Sequence, residues 1–416
     1  MSETLATPPA PPEGEGPGET VASRFAFYQR AGGVLTPLVT TVFAFFIGGL
    51  VVLLITHKNP ISTYKAIFNG TGLNWFFPWI SHADRINAAF NLQSTLLLTT
   101  PLILTGLAVA FAFRAGLFNI GGQGQYAAGS IVGVWVASSL TGMSGFPHIV
   151  LAILLGSLAG AGLAGIAGFL RATVGAHEVI TTIMLNWIVF WLAGWLFGQQ
   201  GPLQTSRERS LTQSNDIAPN THLHVWWGNP ILQGLHVGFF TAVAMLVVYW
   251  IVLNRTTLGY EIRAVGYNPE AAGYAGIDVR RAYFLAMAIS GGFAGLAGVI
   301  DVLGWKFVLS VDDVQGQAGA GAVGFLGIAV ALLGRNSAVG IFFAALLFGA
   351  LLNGTSDRHL DPAVFPPTLA ENLTLLIQGL VLLFIGADIL VIYLWQLRRK
   401  LKLTRAKTSP REVPQE

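Results

Sequence analysis

Residues 148–170 read HIVLAILLGSLAGAGLAGIAGFL and contain no Asp, Glu, Lys or Arg. About 20 helical residues are needed to cross a bilayer core that is about 30 Å thick. This stretch therefore predicts a membrane-spanning helix, and it decides the fold class because comparable runs recur along the chain. The ten candidate spans cover residues 35–55, 94–113, 120–140, 148–170, 179–197, 233–253, 282–304, 319–334, 338–353 and 373–394.

The composition of the whole chain agrees with a protein embedded in lipid. Of the 416 residues, 53% are hydrophobic and 10% are charged, whereas soluble proteins carry about 25% charged residues. The 50 glycines are typical of membrane helices that pack closely against one another. No cysteine is present, which excludes disulfides, thiol nucleophiles and Cys-ligated metal sites. The expected fold is an all-α, polytopic membrane protein.

The distribution of basic residues predicts which side of the membrane each connection faces. With ten spans and both termini in the cytoplasm, 16 of the 23 lysines and arginines lie on the inner side and the other 7 on the outer side. This asymmetry follows the positive-inside rule and favours the N-in, C-in orientation. The basic residues are scattered over loops and form no single patch, so we expect no nucleic-acid partner.

The composition and the predicted spans divide the chain into three segments. Residues 1–30 form a disordered cytoplasmic tail, because the first 23 residues hold five prolines, four glutamates and no cation. Residues 31–397 form the transmembrane domain, whose longest inner loop lies at 254–281. Residues 398–416 form a basic cytoplasmic tail.

A short internal sequence similarity indicates an inverted-topology repeat. The segment QGQYAAG at 123–129 matches QGQAGAG at 315–321 at five of seven positions. The two segments open spans that are predicted to run in opposite directions, as in transporters whose repeat interface holds the pathway. Chance similarity between Gly- and Gln-rich segments is the alternative.

Polar side chains at membrane depth are candidates for a solute pathway, because they are costly unless they face protein or a wet cavity. One group opens the third span, and another forms a stripe on EVITTIMLN at 178–186, with the spacing i, i+3, i+4 and i+8. Their amides and hydroxyls could hydrogen-bond a neutral solute, and the alternative role is hydrogen bonding between helices. The candidate pathway residues are Asn119, Gln123, Gln125, Tyr126, Thr181, Thr182, Asn186, Gln315 and Gln317.

Three carboxylates near apolar spans have other expected roles. Glu178 is expected at a cytoplasmic helix N-terminus, which favours its negative charge. Asp301, which lies near Lys306 in sequence, and Asp388 are expected to be paired or to lie at the membrane interface. The alternative is a proton relay, which would make the chain a stand-alone proton-coupled transporter.

The chain carries no sequence signature of catalysis. No Gly-Lys dipeptide occurs, so there is no P-loop for nucleotide phosphates. Neither an HExxH zinc motif nor an EF-hand spacing is present, and no GxSxG turn occurs. We therefore expect a protein that is not an enzyme and that has no metal site.

The inner loop contains a strong helix start. Asn268 can cap a helix whose first residues are Pro269 and Glu270, and Gly276 is predicted to end it after about two turns. Small side chains at Ala271 and Ala272 suit docking into a groove of another protein. A helix lying on the lipid surface is the weaker alternative, because a bulky apolar face is missing.

At this loop the sequence resembles the permease subunits of ATP-binding-cassette (ABC) importers, whose EAA-x-x-x-G loop inserts into the ATPase. Segments 113–125, 178–186 and 328–336 extend the resemblance to the branched-chain amino acid, ribose and nucleoside permease family. EVITTIMLN is most similar to the nucleoside or simple-sugar branch. The coupling residues that the resemblance implies are Arg263, Gly266, Asn268, Pro269, Glu270, Ala271, Ala272 and Gly276.

The resemblance implies a fold of the vitamin B12 importer kind (type II) in the bacterial plasma (inner) membrane. It implies a permease subunit of an ATP-driven importer that translocates nucleosides by alternating access. The implied partners are a second, homologous permease subunit in a heterodimer, a cytoplasmic ABC ATPase, an extracytoplasmic solute-binding lipoprotein and membrane lipid. This chain itself would bind no cofactor, since ATP and Mg would lie on the ATPase. Simple sugars such as ribose are the alternative solutes, and a membrane scaffold without transport is a further alternative.

Overall fold

The structure is a computed structural model, and it describes residues 41–54, 57, 59–140, 142–228, 234–315, 322–356, 372, 375–377, 379–380 and 383. The described part is predominantly helical. Its helices are α1 (Thr41–Leu54), α2 (Pro60–Thr71), α3 (His82–Arg114), α4 (Gly122–Ser139), α5 (Gly145–Val174), α6 (Glu178–Phe197), α7 (Gly238–Arg255), α8 (Thr257–Tyr267), α9 (Pro269–Tyr274), α10 (Val279–Asp301), α11 (Val311–Gln315), α12 (Val323–Leu333) and α13 (Ala338–Gly354).

Shorter elements complete the described chain. A π-helical segment, Val302–Lys306, continues α10, and single 3₁₀ turns lie at Leu73–Phe76 and Pro219–Thr221. A small antiparallel sheet pairs β1 (Val225–Trp227) with β2 (Leu235–His236).

Within the described ranges, five helical segments are long and apolar enough to cross a membrane, namely α3, α5, α6, α7 and Val279–Lys306. They coincide with the predicted second, fourth, fifth, sixth and seventh spans. Helices α1, α12 and α13 are shorter apolar helices at the first, eighth and ninth spans, and α4 lies at the third. The tenth, 373–394, lies almost entirely outside the described residues. The helical membrane fold is thereby confirmed, and the number of ten spans stays a prediction.

Helix α3 is the central element of the bundle. Its 33 residues include an unbroken buried stretch from Leu102 to Ala112, and it packs against α7, α10, α12 and α13. Pro101 lies within the helix and cannot donate to the carbonyl four residues earlier. The Thr105 hydroxyl donates back to the Pro101 carbonyl at 2.9 Å. Thus α3 combines a fully buried middle with one weakened turn.

The end of α3 defines one face of the bundle. The Arg114 guanidinium donates to the Asn336 carbonyl, just before α13, at 2.7 Å. Gly116 and Gly266 bring the chain after α3 directly against the end of α8. We call this the inner face, following the predicted topology.

The start of α3 lies at the opposite face, with the end of α13. The Asn353 amide donates to the carbonyls of Gly70 and Asn91 at 3.0 and 2.9 Å and to the Thr95 hydroxyl at 3.1 Å. We call this the outer face. Helices α3 and α13 therefore run in opposite directions, as the predicted topology requires of the second and ninth spans.

A tight glycine seam joins α4, α5 and α10. It consists of Gly129, Gly160, Gly291 and Gly295, at which the helix backbones touch. A Cβ on Gly160 would collide with the Gly291 carbonyl oxygen, and a Cβ on Gly129 would collide with that of Gly295. Small residues permit this approach, as in other helix pairs packed within lipid.

Helix α6 has its polar side inside and its large apolar side outside. Thr182 and Asn186 are buried, whereas Trp191 and Trp195 are 70% and 64% exposed. An amphipathic helix in water shows the reverse arrangement. The exposed face of α6 is therefore suited to lipid or to another membrane subunit.

The outer segment 199–228 is fixed to the helix ends beneath it. Backbone bonds join Ile217 to Phe307 and Ala218 to Ala137, and the His222 ring stacks on Phe307 with ring centres 4.1 Å apart. Burial lowers the pKa of His222, which favours the uncharged ring.

Candidate functional site

The predicted pathway residues of the third and fifth spans meet inside the bundle. They include an amide cluster, which we define as Asn119, Gln123, Gln125 and Asn186, and which is at most 2% exposed. The chain enters this region through the non-helical segment 115–121, and α4 begins only at Gly122. The cluster thus lies where an interrupted helix starts within the protein.

Asn119 and Gln125 form a reciprocal amide pair. The Asn119 Nδ2 donates to the Gln125 Oε1 at 2.8 Å, and the Gln125 Nε2 donates to the Asn119 Oδ1 at 2.9 Å. Asn119 Nδ2 also donates to Ser290 Oγ, whose hydroxyl donates to the Ala108 carbonyl on α3 at 2.6 Å. Ala108 lies about 9 Å along the helix from the inner end of α3. The pair therefore bonds α4 to α10 and α3 at membrane depth.

Asn186 fastens α6 to the start of α4. Its Oδ1 accepts from the Gly124 N–H at 2.9 Å, and its Nδ2 donates to the Ile120 carbonyl at 3.1 Å. A Cβ at Gly124 would overlap the Asn186 side chain, so glycine is required for this contact. One side chain thus satisfies two backbone groups that the interrupted helix leaves free.

Gln123 connects the start of α4 with that of α12. Its Oε1 accepts from the Gly324 N–H at 2.7 Å. Its buried Nε2 has no hydrogen-bond partner among the residues that the structure describes, which is uncommon for a buried amide. Helix α12 has only 11 residues. The hydrogen bond between Gln123 and Gly324 therefore joins the N-termini of α4 and α12 within the bundle, each at a glycine-rich segment.

The polar stripe on α6 is placed as its spacing predicts. Thr182 is buried and bonds to the Glu178 carbonyl at 2.8 Å, whereas Thr181 is half-buried and bonds to the His177 carbonyl at 3.1 Å. Glu178 is the first residue of α6 and pairs with Arg171 at 3.6 Å. The structural role predicted for Glu178 is thus supported, and a pathway role for the threonines stays a prediction.

We expect Asn186→Leu to destabilise the chain. The apolar side chain would leave the Gly124 N–H and the Ile120 carbonyl buried without partners, at a cost of about 2 kcal/mol or more. Thr181→Val is the matched control, because its hydroxyl bonds only within its own helix. Thermal unfolding of the purified variants in detergent measures the difference, and equal unfolding midpoints would contradict it.

Tyr126 and Asp301 form a buried contact that sequence reasoning found only in part. The Tyr126 hydroxyl donates to Asp301 Oδ2 at 2.6 Å, and Lys306 Nζ donates to the same hydroxyl at 3.0 Å. The sequence indicated Lys306 as the neighbour of Asp301, whereas Tyr126 from α4 lies between them. Asp388 lies outside the described residues.

The remaining pathway candidates belong to the second half of the chain. Gln315 ends α11, and its amide donates to the Phe190 carbonyl of α6 at 2.9 Å. Gln317 lies outside the described residues. Ser290 is a member of the site that sequence reasoning missed, because a lone serine in an apolar span gives no periodic signal.

The inner loop forms the predicted short helix. Asn268 caps α9 by accepting from the Ala271 N–H at 3.0 Å, Pro269 is its first residue, and Gly276 follows it at φ +83°. Ala272 is buried and packs between Val265 of α8 and the start of α10. The predicted helix start and end are therefore confirmed.

The side of the inner loop that faces away from the bundle exposes aromatic side chains. Tyr267, which precedes α9, and Tyr274, its last residue, are 90% and 94% exposed, and Ala271 and Glu270 are exposed between them. Aromatic side chains are enriched at the energetic centres of protein interfaces. The two tyrosines were not among the predicted coupling residues, although their positions beside the motif could have indicated them.

The inner loop is also joined to the core. Arg263 of α8 bonds within its own helix at 3.3 Å, whereas Gly266 lies so close to the Arg114 carbonyl that a Cβ there would collide with it. A displacement of α8 would therefore also move the end of α3.

Residues 91–386 match the protein family described as branched-chain amino acid transport system / permease component. The nucleoside ABC transporter permease protein NupB of Lactococcus lactis is 36% identical over 343 residues, 82% of this chain and 88% of the relative. The guanosine ABC transporter permease protein NupP of Bacillus subtilis is 33% identical over 366 residues, 86% of this chain and 95% of the relative.

A third relative is named for a sugar. The glucose ABC transporter permease protein TsgB13 of Haloferax volcanii is 34% identical over 356 residues, 84% of this chain and 86% of the relative. No solved structure matches the chain.

Proposed function

Because the chain belongs to the permease-component family of the branched-chain amino acid transport system, we propose that it is the membrane-spanning subunit of an ATP-driven importer of nucleosides. The chain is a membrane-embedded transport subunit and not an enzyme. Similarity over more than four fifths of its length to permeases named for nucleosides and for guanosine carries the proposal. The solutes in the names of these relatives are our hypothesis for the solute of this chain.

The proposed architecture has ten spans, N-in and C-in, arranged as an inverted repeat of the type II kind. Residues 31–397 form the permease domain, and residues 1–30 and 398–416 are cytoplasmic tails. The meeting of the α4 and α12 starts at Gln123 and Gly324 supports the repeat, because interrupted helices from the two halves often meet at the solute site of a transporter.

In the proposed mechanism the amide cluster is a closed part of the pathway. Its amides bond to one another and to backbone groups, so solute entry requires these bonds to exchange for bonds to the solute. Amides offer both donors and acceptors, which suits the hydroxyls and heterocyclic atoms of a neutral nucleoside. The Nε2 of Gln123, which has no partner in the described part of the chain, is a donor that such a solute would satisfy.

The proposed coupling site is the inner loop, with α9 docked on a cytoplasmic ABC ATPase that binds ATP and Mg. Closure of the ATPase would push α9 and, through Gly266, the end of α3. The further proposed partners are a second permease subunit, a homologue forming a heterodimer, and an extracytoplasmic solute-binding lipoprotein. The bare aromatic surface of Tyr267 and Tyr274 supports a docked partner at this loop.

Simple sugars are the second candidate solutes, and the similarity to a glucose permease favours them. Hydroxyl groups are common to ribose, glucose and nucleosides, so the amide cluster suits either class. The nucleobase is the part of the solute that distinguishes them.

The test is uptake of labelled uridine, guanosine, ribose and glucose by the native host with and without the gene. We expect nucleoside uptake to be lost on deletion and to return with the intact gene. Loss of sugar uptake alone would replace the nucleoside assignment by the sugar assignment. Uptake that stops with a protonophore while ATP is intact, and that the isolated chain performs in vesicles, would instead favour a proton-coupled carrier, with Asp301→Asn as the first variant to examine.

A further inference from the structure

The outer face carries a concave pocket that is separate from the amide cluster. It lies between α2, the turn that follows it and the first turns of α3, and its volume is about 790 Å³. Small-molecule sites typically have volumes of 300–1,000 Å³. The amide cluster is near the inner part of the bundle, so the two sites are far apart along α3.

One wall of the pocket is aromatic. Phe68 and Phe77 lie with ring centres 6.0 Å apart, and Phe77 and Trp79 lie 4.8 Å apart. Trp79 is 78% exposed although it is a large apolar side chain. Exposed ring faces beside a cavity are suited to stacking against a flat ring, since the face of a nucleobase or of a sugar ring covers them well.

Amide side chains also line the pocket. Asn87 of α3 is one of them and is exposed. Asn74 lines it from the turn, and its buried Oδ1 has no hydrogen-bond partner among the described residues. An unpaired buried acceptor at a cavity favours a ligand with a donor group, because buried polar atoms are normally paired.

The charges at the pocket oppose a strongly charged ligand. Lys65 of α2 and Asp84 of α3 both line it, and Arg85 donates to the carbonyl of the lining residue Phe77 at 3.4 Å, so cations exceed carboxylates by one. A phosphate group carries about −1.5 to −2 charges, which an excess of one cation does not balance. The chemistry thus favours a neutral ligand with a flat ring and hydroxyl or amine donors.

The frame of the pocket is rigidly attached to the bundle. Gly72, at φ +73°, lies against the α3 backbone, where any Cβ would collide with Leu92. Asn91 donates to the Asn69 carbonyl at 3.2 Å, and Asn353 of α13 donates to the carbonyls of Gly70 and Asn91. A pocket with such a fixed floor is largely preformed, which lowers the entropic cost of binding.

We propose that this outer pocket binds one molecule of the neutral, ring-bearing solute at the outer face, as a receiving site distinct from the amide cluster. The solute class rests on the proposed function, so a nucleoside is the first ligand to test. Stacking comes from Trp79 and Phe77, and hydrogen bonds come from Asn74 and Asn87.

The test measures equilibrium binding of labelled uridine, guanosine and ribose to the purified full chain in lipid nanodiscs. We expect saturable nucleoside binding at one site, weakened about tenfold or more by Trp79→Ala, because stacking of a base on an aromatic ring contributes at that level. Asn87→Ala should weaken it as well. Trp226→Ala is the matched control, since this tryptophan is on the outer segment, is 64% exposed and lies outside the pocket lining.

Three outcomes would overturn the inference. The first is no saturable binding of any of the three solutes, and the second is equal affinity in Trp79→Ala and Trp226→Ala. The third is loss of binding in Asn186→Leu protein that the unfolding measurement shows to be folded at the assay temperature, which would place the bound solute at the amide cluster. Uptake in the host reports on the proposed function separately, so uptake that depends on the gene without pocket binding would leave that function intact.

Discussion

Replacing Ala271 by arginine is expected to reduce solute uptake by about 30-fold or more while the chain still folds and reaches the membrane. Ala271 is exposed on α9 between the bare rings of Tyr267 and Tyr274, so a long charged side chain disturbs nothing within the chain. It would prevent α9 from entering a close-fitting groove, and loss of a central interface contact commonly costs 2 kcal/mol or more. The measurement is labelled-nucleoside uptake normalised to membrane-extracted protein.

The control for Ala271→Arg is Thr173→Arg. Thr173 is exposed near the inner end of α5 and belongs to no predicted docking surface, so it adds the same charge on the same face. Near-normal uptake by Ala271→Arg, or equal loss in both variants, would remove the argument for docking at α9. Copurification of the ATPase with each variant separates failed docking from failed transport.

Gly291→Val is expected to remove nearly all folded protein. Any Cβ at Gly291 would collide with the Gly160 carbonyl oxygen and crowd Ala164, and the backbones of α5 and α10 cannot separate locally without opening the glycine seam. Overpacking of a tight core costs about 1–3 kcal/mol and more where backbone must move. Detergent-solubilised yield and the unfolding midpoint measure this loss.

The adjacent residue provides the control. Gly292 lies on the same helix, and a Cβ there would have ordinary contacts at 3.8 Å with Ala161. Both substitutions remove a glycine from the same helix and add the same side chain, so propensity changes equally. Equal losses of folded protein in Gly291→Val and Gly292→Val would show that helix contact at the seam is not the cause.

Helix α9 and the buried stripe of α6 could be predicted from sequence because their signals are local. The Asn268-Pro269-Glu270 start is decided by capping within one turn, and the stripe on 178–186 is decided by helical periodicity. Both appear in the structure where the spacing places them.

Other features depend on contacts between distant segments and have no local signature. Helices α2 and α8 lie in connections that were predicted only as loops, because each is too short or too polar for a span. The bonds of Asn186 to Ile120 and of Gln123 to Gly324 join residues 66 and 201 positions apart. Sequence could indicate which polar groups lie in the membrane, but only the packing of the helices decides which groups satisfy one another.

The 33-residue length of α3 and the position of Pro101 divide this helix into two arms of unequal length. The arm from Pro101 to the outer pocket is about 28 Å long, and the arm to the inner loop is about 20 Å long. Proline positions are where long helices bend. A bend of about 10° at Pro101 would therefore move the inner end by about 3 Å while the outer arm stays in place. A displacement delivered at the inner loop can thus be taken up at Pro101 without disturbing the outer pocket.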